Sequence, residues 1–105
     1  MKFSDLKFKK REHGDGIGCH TEINGFVLSV QASSMNYCSP RMDLDHESEY
    51  ISFEIAIWDA AEPRNWRTQE FVDVHDDVAA YMSRNEIESI MNKLIEYRHE
   101  KLAYS

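Results

Sequence analysis

Cysteine is scarce in this chain: only Cys19 and Cys38 occur among 105 residues. The two do not form a C-x-x-C pair. Together with His13 and His20 they match no zinc-finger or knuckle spacing, so no structural metal is expected. Long apolar runs are also missing. The basic start is not followed by an apolar stretch of leader length, and no segment approaches a membrane span. The expectation is a cytoplasmic chain with reduced thiols and no membrane partner. No repeat, low-complexity tract or linker divides residues 1–105, which read as a single domain.

Positive charge is the next shortage. Twelve Lys and Arg stand against 19 Asp and Glu, a net charge of −7. A general phosphate-backbone binder needs clustered cations to displace counterions, so direct nucleic-acid binding is not expected. The charge is unevenly spread. Lys2, Lys7, Lys9, Lys10 and Arg11 face only Asp5 at the start, whereas residues 42–62 hold seven acids and neither Lys nor Arg. Such an acidic run is either solvated surface or a face that docks on a basic partner. Apolar residues make up 42%, enough for one modest core. A homodimer is one expected way to bury more.

The local patterns predict an α+β fold: an antiparallel sheet of about five strands with a C-terminal helix packed on one face. "KFSDLKFKKR" alternates loosely, with Phe3, Leu6 and Phe8 as its apolar points, and reads as a first edge strand. In "CHTEINGFVLSVQ" the Asn24-Gly25 step predicts a two-residue hairpin, because a type I′ turn needs positive φ at both central positions. Phe26, Leu28 and Val30 then point one way, and Val27, Ser29 and Gln31 the other. "YISFEIAIWD" alternates as a strand with Ile51, Phe53, Ile55 and Ile57 on one face. "RTQEFVDVH" reads as its partner strand and "DDVAAYM" as a short helical turn. Ser83 and Glu86 form a capping-box pattern that opens a helix running through the last residues. Its buried stripe is Ile87, Ile90, Met91, Leu94 and Ile95.

Several stretches invite chemical readings. "HGDGIGCH" (13–20) has three glycines, but no Lys-Ser or Lys-Thr follows them and the chain enters a strand, so it is not a phosphate loop. It reads as a mobile turn feeding the hairpin. Asp43, Asp45, Glu47, Glu49 and Glu54 have some of the spacing of a calcium loop, but Ser48 stands where the sharp-turn glycine belongs. Asp73, His75 and Asp77 repeat with period two, yet the aspartates also suit a helix cap. No strand–turn–helix nucleophile elbow surrounds Ser33, Ser34 or Ser39. Cys38 would need a histidine brought to it by the fold. No catalytic residue and no cofactor is assigned. Phe26, Tyr37, Tyr50, Trp58 and Trp66 lie near loops or strand ends. Tyr and Trp anchor interfaces and stack on bases. Trp58 is assigned to packing under the helix.

The order "FSDLKF", Gly-rich loop, "NGFVLSV", tyrosine loop, "FEIAIW", "DVHDDVAAYM" and one helix resembles a group of short accessory proteins of tailed bacteriophages. Their N-G-Y-G-x-S-V hairpin corresponds here to Asn24, Gly25, Phe26, Val27, Ser29 and Val30. Val27 departs from the second glycine, and Cys38-Ser39-Pro40 replaces a Gly-Gly step. The resemblance implies a factor that binds host machinery or blunts host defence, working in the host cytoplasm. It carries over no ligand-binding residue.

Two functional expectations follow. The first is a non-enzymatic protein that occupies a host bacterial protein, with Asp43, Asp45, Glu47, Glu49 and Tyr50 as the contact patch. The second is a nucleotide-binding module that sequesters a host immune signal, its pocket drawn from Tyr37, Arg41, Trp66 and Arg67.

Overall fold

The Asn24-Gly25 turn fixes the register of the central sheet. In the computed structural model, which describes residues 1–11 and 15–99, Asn24 has φ 49° and Gly25 φ 84°. These are the positive values that a type I′ turn requires. The turn joins β2 (Ile17–Ile23) to β3 (Phe26–Ala32), with Ile23 opposite Phe26 and Ile17 opposite Ala32. A two-residue β1 (Lys9–Lys10) flanks β2, and β4 (Phe53–Asp59) pairs with β3. With β5 (Val78–Met82) beside β4, the five strands form an antiparallel sheet in chain order.

Alternation decides what each face buries. Cys19, Val30, Ile55 and Ala79 are cross-strand neighbours and all are buried. The same face carries Ile17, Ile23, Phe26, Leu28, Phe53 and Ile57, and it packs against α2 (Arg84–Glu96). The helix starts where the capping box places it: Ser83 Oγ accepts from Glu86 N at 3.1 Å, and Ser83 N donates to Glu86 Oε1 at 2.9 Å. Ile87, Ile90, Met91 and Leu94 form its buried stripe.

Several expectations need correction. The helix ends at Glu96. Its last carbonyls are met by Asn24 Nδ2, which donates to Leu94 O at 2.9 Å and to Tyr97 O at 2.8 Å. The hairpin turn therefore serves as the helix cap, and Ile95 falls outside the stripe, 46% exposed. Residues 100–105 lie outside the described part. At the other end, Phe3–Asp5 is a 3₁₀ turn, and only Lys9 and Lys10 reach the sheet.

The segments after β4 exchange roles relative to expectation. Thr68–Phe71 is a short helix, α1, and "VAAYM" is the strand that pairs with β4. Thr68 explains the switch. Its buried hydroxyl accepts from Ile57 N at 2.9 Å and donates to Asp77 O at 2.6 Å. One side chain thus satisfies β4 backbone where a ladder partner would otherwise be needed. Ile51 is also misplaced by simple alternation: it is 74% exposed, while Tyr50 is 1% exposed. Ile51 N and Ser52 N both donate to Ser39 O, which interrupts the alternation before β4 begins.

The face away from α2 carries Trp58, Trp66, His20, Val27, Ser29 and Ala56. Trp58 therefore does not lie under the helix. It meets His20 and Trp66 edge-on, each with ring centres 5.3 Å apart.

Candidate docking surface at the β3–β4 connection

Residues 33–52 leave β3, cross the end of the sheet and return to β4. Their path is fixed by a polar network. Ser33 Oγ and Asn36 Oδ1 both accept from Arg11 Nη1, at 3.0 and 3.1 Å. Glu54 accepts from Asn36 Nδ2 at 2.8 Å and from Tyr37 N at 3.1 Å. Glu54 is thereby committed to the loop base, and the calcium-loop spacing loses its twelfth ligand. Among the described residues no group of three or more His, Cys, Asp or Glu is close enough to hold a metal ion.

The acidic patch splits into a surface and a support. Asp43 caps the start of the connection, accepting from Ser34 N at 2.7 Å and Ser34 Oγ at 2.9 Å. Asp45 lies 3.0 Å from Lys10 Nζ, and that hydrogen bond holds its carboxyl below the usual range. Glu47 and Glu49 lie in a 3₁₀ turn, which Arg84 ties to α2 by donating to Glu47 O at 2.6 Å. Tyr50 is the correction. Its ring is buried beside Phe53, with centres 6.0 Å apart, so it cannot reach a partner. Its hydroxyl instead donates to Met42 O at 2.6 Å and accepts from Leu44 N at 2.8 Å. Tyr50 holds the acidic loop from beneath.

Sequence reading named Tyr37 but missed Met35, Met42, Ile51 and Tyr81 beside that loop. The described residues include eight exposed large hydrophobics, and five of them, Met35, Tyr37, Met42, Ile51 and Tyr81, belong to this connection or to the strand end touching it. Tyr81 N donates to Tyr37 O at 3.0 Å, and the two rings are 6.4 Å apart. Tyr81 also holds φ at +54°, a left-handed conformation that is rare for a bulky residue. It sits beside the register shift between β4 and β5, which turns its side chain outward. No pattern in "VAAYM" marks that bulge.

The four residues of the nucleotide pocket do not come together. Arg41 lies over the Tyr37 ring at 4.9 Å, at the Ser52 end of β4. Trp66 bridges Trp58 at the far end, six residues along and roughly 20 Å away at strand rise. Arg67 is neutralised there by Asp59 at 2.7 Å and by Glu70, whose hydrogen bond raises its already high pKa. It is a structural cation stacked over Phe26, at 5.2 Å.

The other chemical candidates are likewise placed. His13 lies outside the described residues, and Ile17–His20 already belongs to β2, so the second half of "HGDGIGCH" is strand and not mobile turn. Asp73, His75 and Asp77 are exposed on the turn between α1 and β5 and share no strand face. Cys38 is buried and donates to Ser33 O at 3.3 Å. Burial pushes its thiol up, with Glu54 adding to the effect, the reverse of an activated nucleophile.

Burial also raises the Tyr50 phenol. In both groups the fold favours the neutral acid. Their contribution is complete below the unfolded thiol value of about 8.5 and is lost as pH rises through the folded values. Urea midpoints are therefore expected to fall as pH rises from about 8 through the unfolded phenol value of about 10, with Cys38→Ser removing the first part of the decline. A flat midpoint across that window contradicts the assignment.

These features define an α+β sheet-and-helix module with a fixed, exposed loop surface at one end. Among the described residues, no helix is long and apolar enough to cross a membrane. No protein-family model matches the chain, and no curated protein or solved structure matches it.

Proposed function

We propose that this chain is a small non-enzymatic binding protein of the accessory kind carried by tailed bacteriophages. It acts by occupying a basic surface of a host bacterial protein. The observation that supports this reading is the gathering of Met35, Tyr37, Met42, Ile51 and Tyr81 beside the Asp43–Glu49 loop. Exposed apolar groups concentrated at one place, with charge at the margin, are the composition of a docking surface. Carboxylates steer the encounter, and Tyr37 with Tyr81 anchors the contact. The loop is held in shape before binding, which lowers the ordering cost of association.

The test is affinity capture from a bacterial lysate followed by measurement with the purified partner. Tyr37→Ala/Tyr81→Ala is expected to weaken binding by about 30-fold or more, the scale of losing a hot spot. Glu47→Lys/Glu49→Lys is expected to slow association and flatten its salt dependence. A partner that binds both double variants as it binds the wild type rejects the reading.

A further inference from the structure

The opposite edge of the sheet is unusual for so acidic a molecule. β1 pairs only with Gly18 and Ile17, so on the side away from β3 Cys19–Ile23 have no neighbouring strand among the described residues. The cause is local. Phe3, Leu6 and Phe8 turn onto the core, with Phe8 5.7 Å from both Phe3 and Phe53, and they hold the chain off the edge until Lys9. In a two-residue hairpin the flanking pair, Ile23 and Phe26, exchanges hydrogen bonds, and bonding then alternates along the strand. Thr21 and Cys19 therefore bond to β3. The main-chain N–H and C=O of His20 and Glu22 point to the vacant edge.

That edge opens into a groove of about 740 Å³. Lys7, Lys9, Lys10 and Arg11 line it, with His20 on the β2 side, against only Asp5 and Glu22. Four cations against two carboxylates reverse the sign of a chain whose net charge is −7. At its mouth, Lys10 already holds a carboxylate, that of Asp45.

We propose that this groove receives an extended acidic peptide segment, which adds to the free edge of β2 in line with β1. The exposed backbone groups of His20 and Glu22 pair with the peptide main chain. Lys7 and Lys9 take carboxylates on alternate peptide residues, the period that strand geometry imposes. Both a donor and an acceptor row are offered, which suits a peptide and not a phosphate chain. Lysines on an edge strand can also serve only to discourage aggregation. The experiment distinguishes these roles.

The probe is a blocked Glu-Val-Glu-Val-Glu peptide titrated into the isotope-labelled full chain, with Lys-Val-Lys-Val-Lys as control. The acidic peptide is expected to shift the His20 and Glu22 amides and slow their hydrogen exchange, while the basic one does neither. His20→Pro removes one outward N–H without touching the β2–β3 ladder, and it is expected to weaken binding about tenfold. Lys7→Glu/Lys9→Glu, which leaves every backbone group in place, is expected to do at least as much. Tyr37→Ala/Tyr81→Ala should leave peptide binding intact, so failure here is separable from failure of the proposed function. No shift at His20 and Glu22 with millimolar acidic peptide overturns the proposal and leaves the lysines as edge protection. Tripolyphosphate binding as tightly as the peptide and unaffected by His20→Pro also overturns it.

Discussion

Phe26→Ala is expected to cost about 3–5 kcal/mol of folding stability, as for other fully buried aromatics. Phe26 is wholly buried at the first position of β3. Its ring meets Phe71 and Tyr97 edge-on, each at 5.1 Å, and stacks on His99 at 5.4 Å. Arg67 covers it at 5.2 Å. The side chain thus joins the hairpin, α1 and the segment after α2. Its loss leaves a cavity at their meeting point, and it frees Arg67 and the Asn24 cap to move. Against the roughly 5–15 kcal/mol that a domain of this size has in all, that loss is a fifth or more of the total stability. Chemical denaturation checks this, and a cost below about 1 kcal/mol would mean that the hub is not assembled as described.

Gly16→Ala should be of similar severity for a different reason. Gly16 has φ +86°, and an added Cβ would lie 2.3 Å from Ala32 O and 2.5 Å from Ser33 Cβ. Both neighbours are tightly held: Ala32 pairs with Ile17, and Ser33 Oγ is bonded to Arg11 and Asn36. Left-handed backbone costs a non-glycine residue roughly 1–2 kcal/mol, and forced overpacking about 1–3 kcal/mol more. Because Ser33 begins the docking connection, the variant should also speed hydrogen exchange in residues 33–37. Wild-type stability in Gly16→Ala would show that the β2 entry is looser than this geometry requires.

What the sequence made legible was local. Asn24-Gly25 names its own turn, and Ser83 with Glu86 names its own helix start, because each needs only residues within reach of one another. The failures came from distant partners. "VAAYM" lacks a strand pattern of its own, and it becomes β5 because β4 offers an edge and Thr68 satisfies Ile57 and Asp77 in place of a strand. Tyr50 reads as an exposed anchor until the double contact of Ile51 and Ser52 with Ser39 turns it inward. Asp43, Asp45, Glu47 and Glu49 could be picked out as surface groups from charge alone. Tyr81 could not, since its outward aim depends on a bulge formed where β4 and β5 pair residues more than 20 positions apart.

Tyr50 holds the acidic loop as a rigid surface. Residue-resolved hydrogen exchange of the wild type and Tyr50→Phe tests it most directly, with no partner required. The Leu44 amide, bonded to the Tyr50 hydroxyl at 2.8 Å, should be protected in the wild type. In Tyr50→Phe that protection should be lost across residues 43–49 while the α2 amides keep theirs. A Leu44 amide that exchanges at the rate of a free peptide in the wild type would contradict the account.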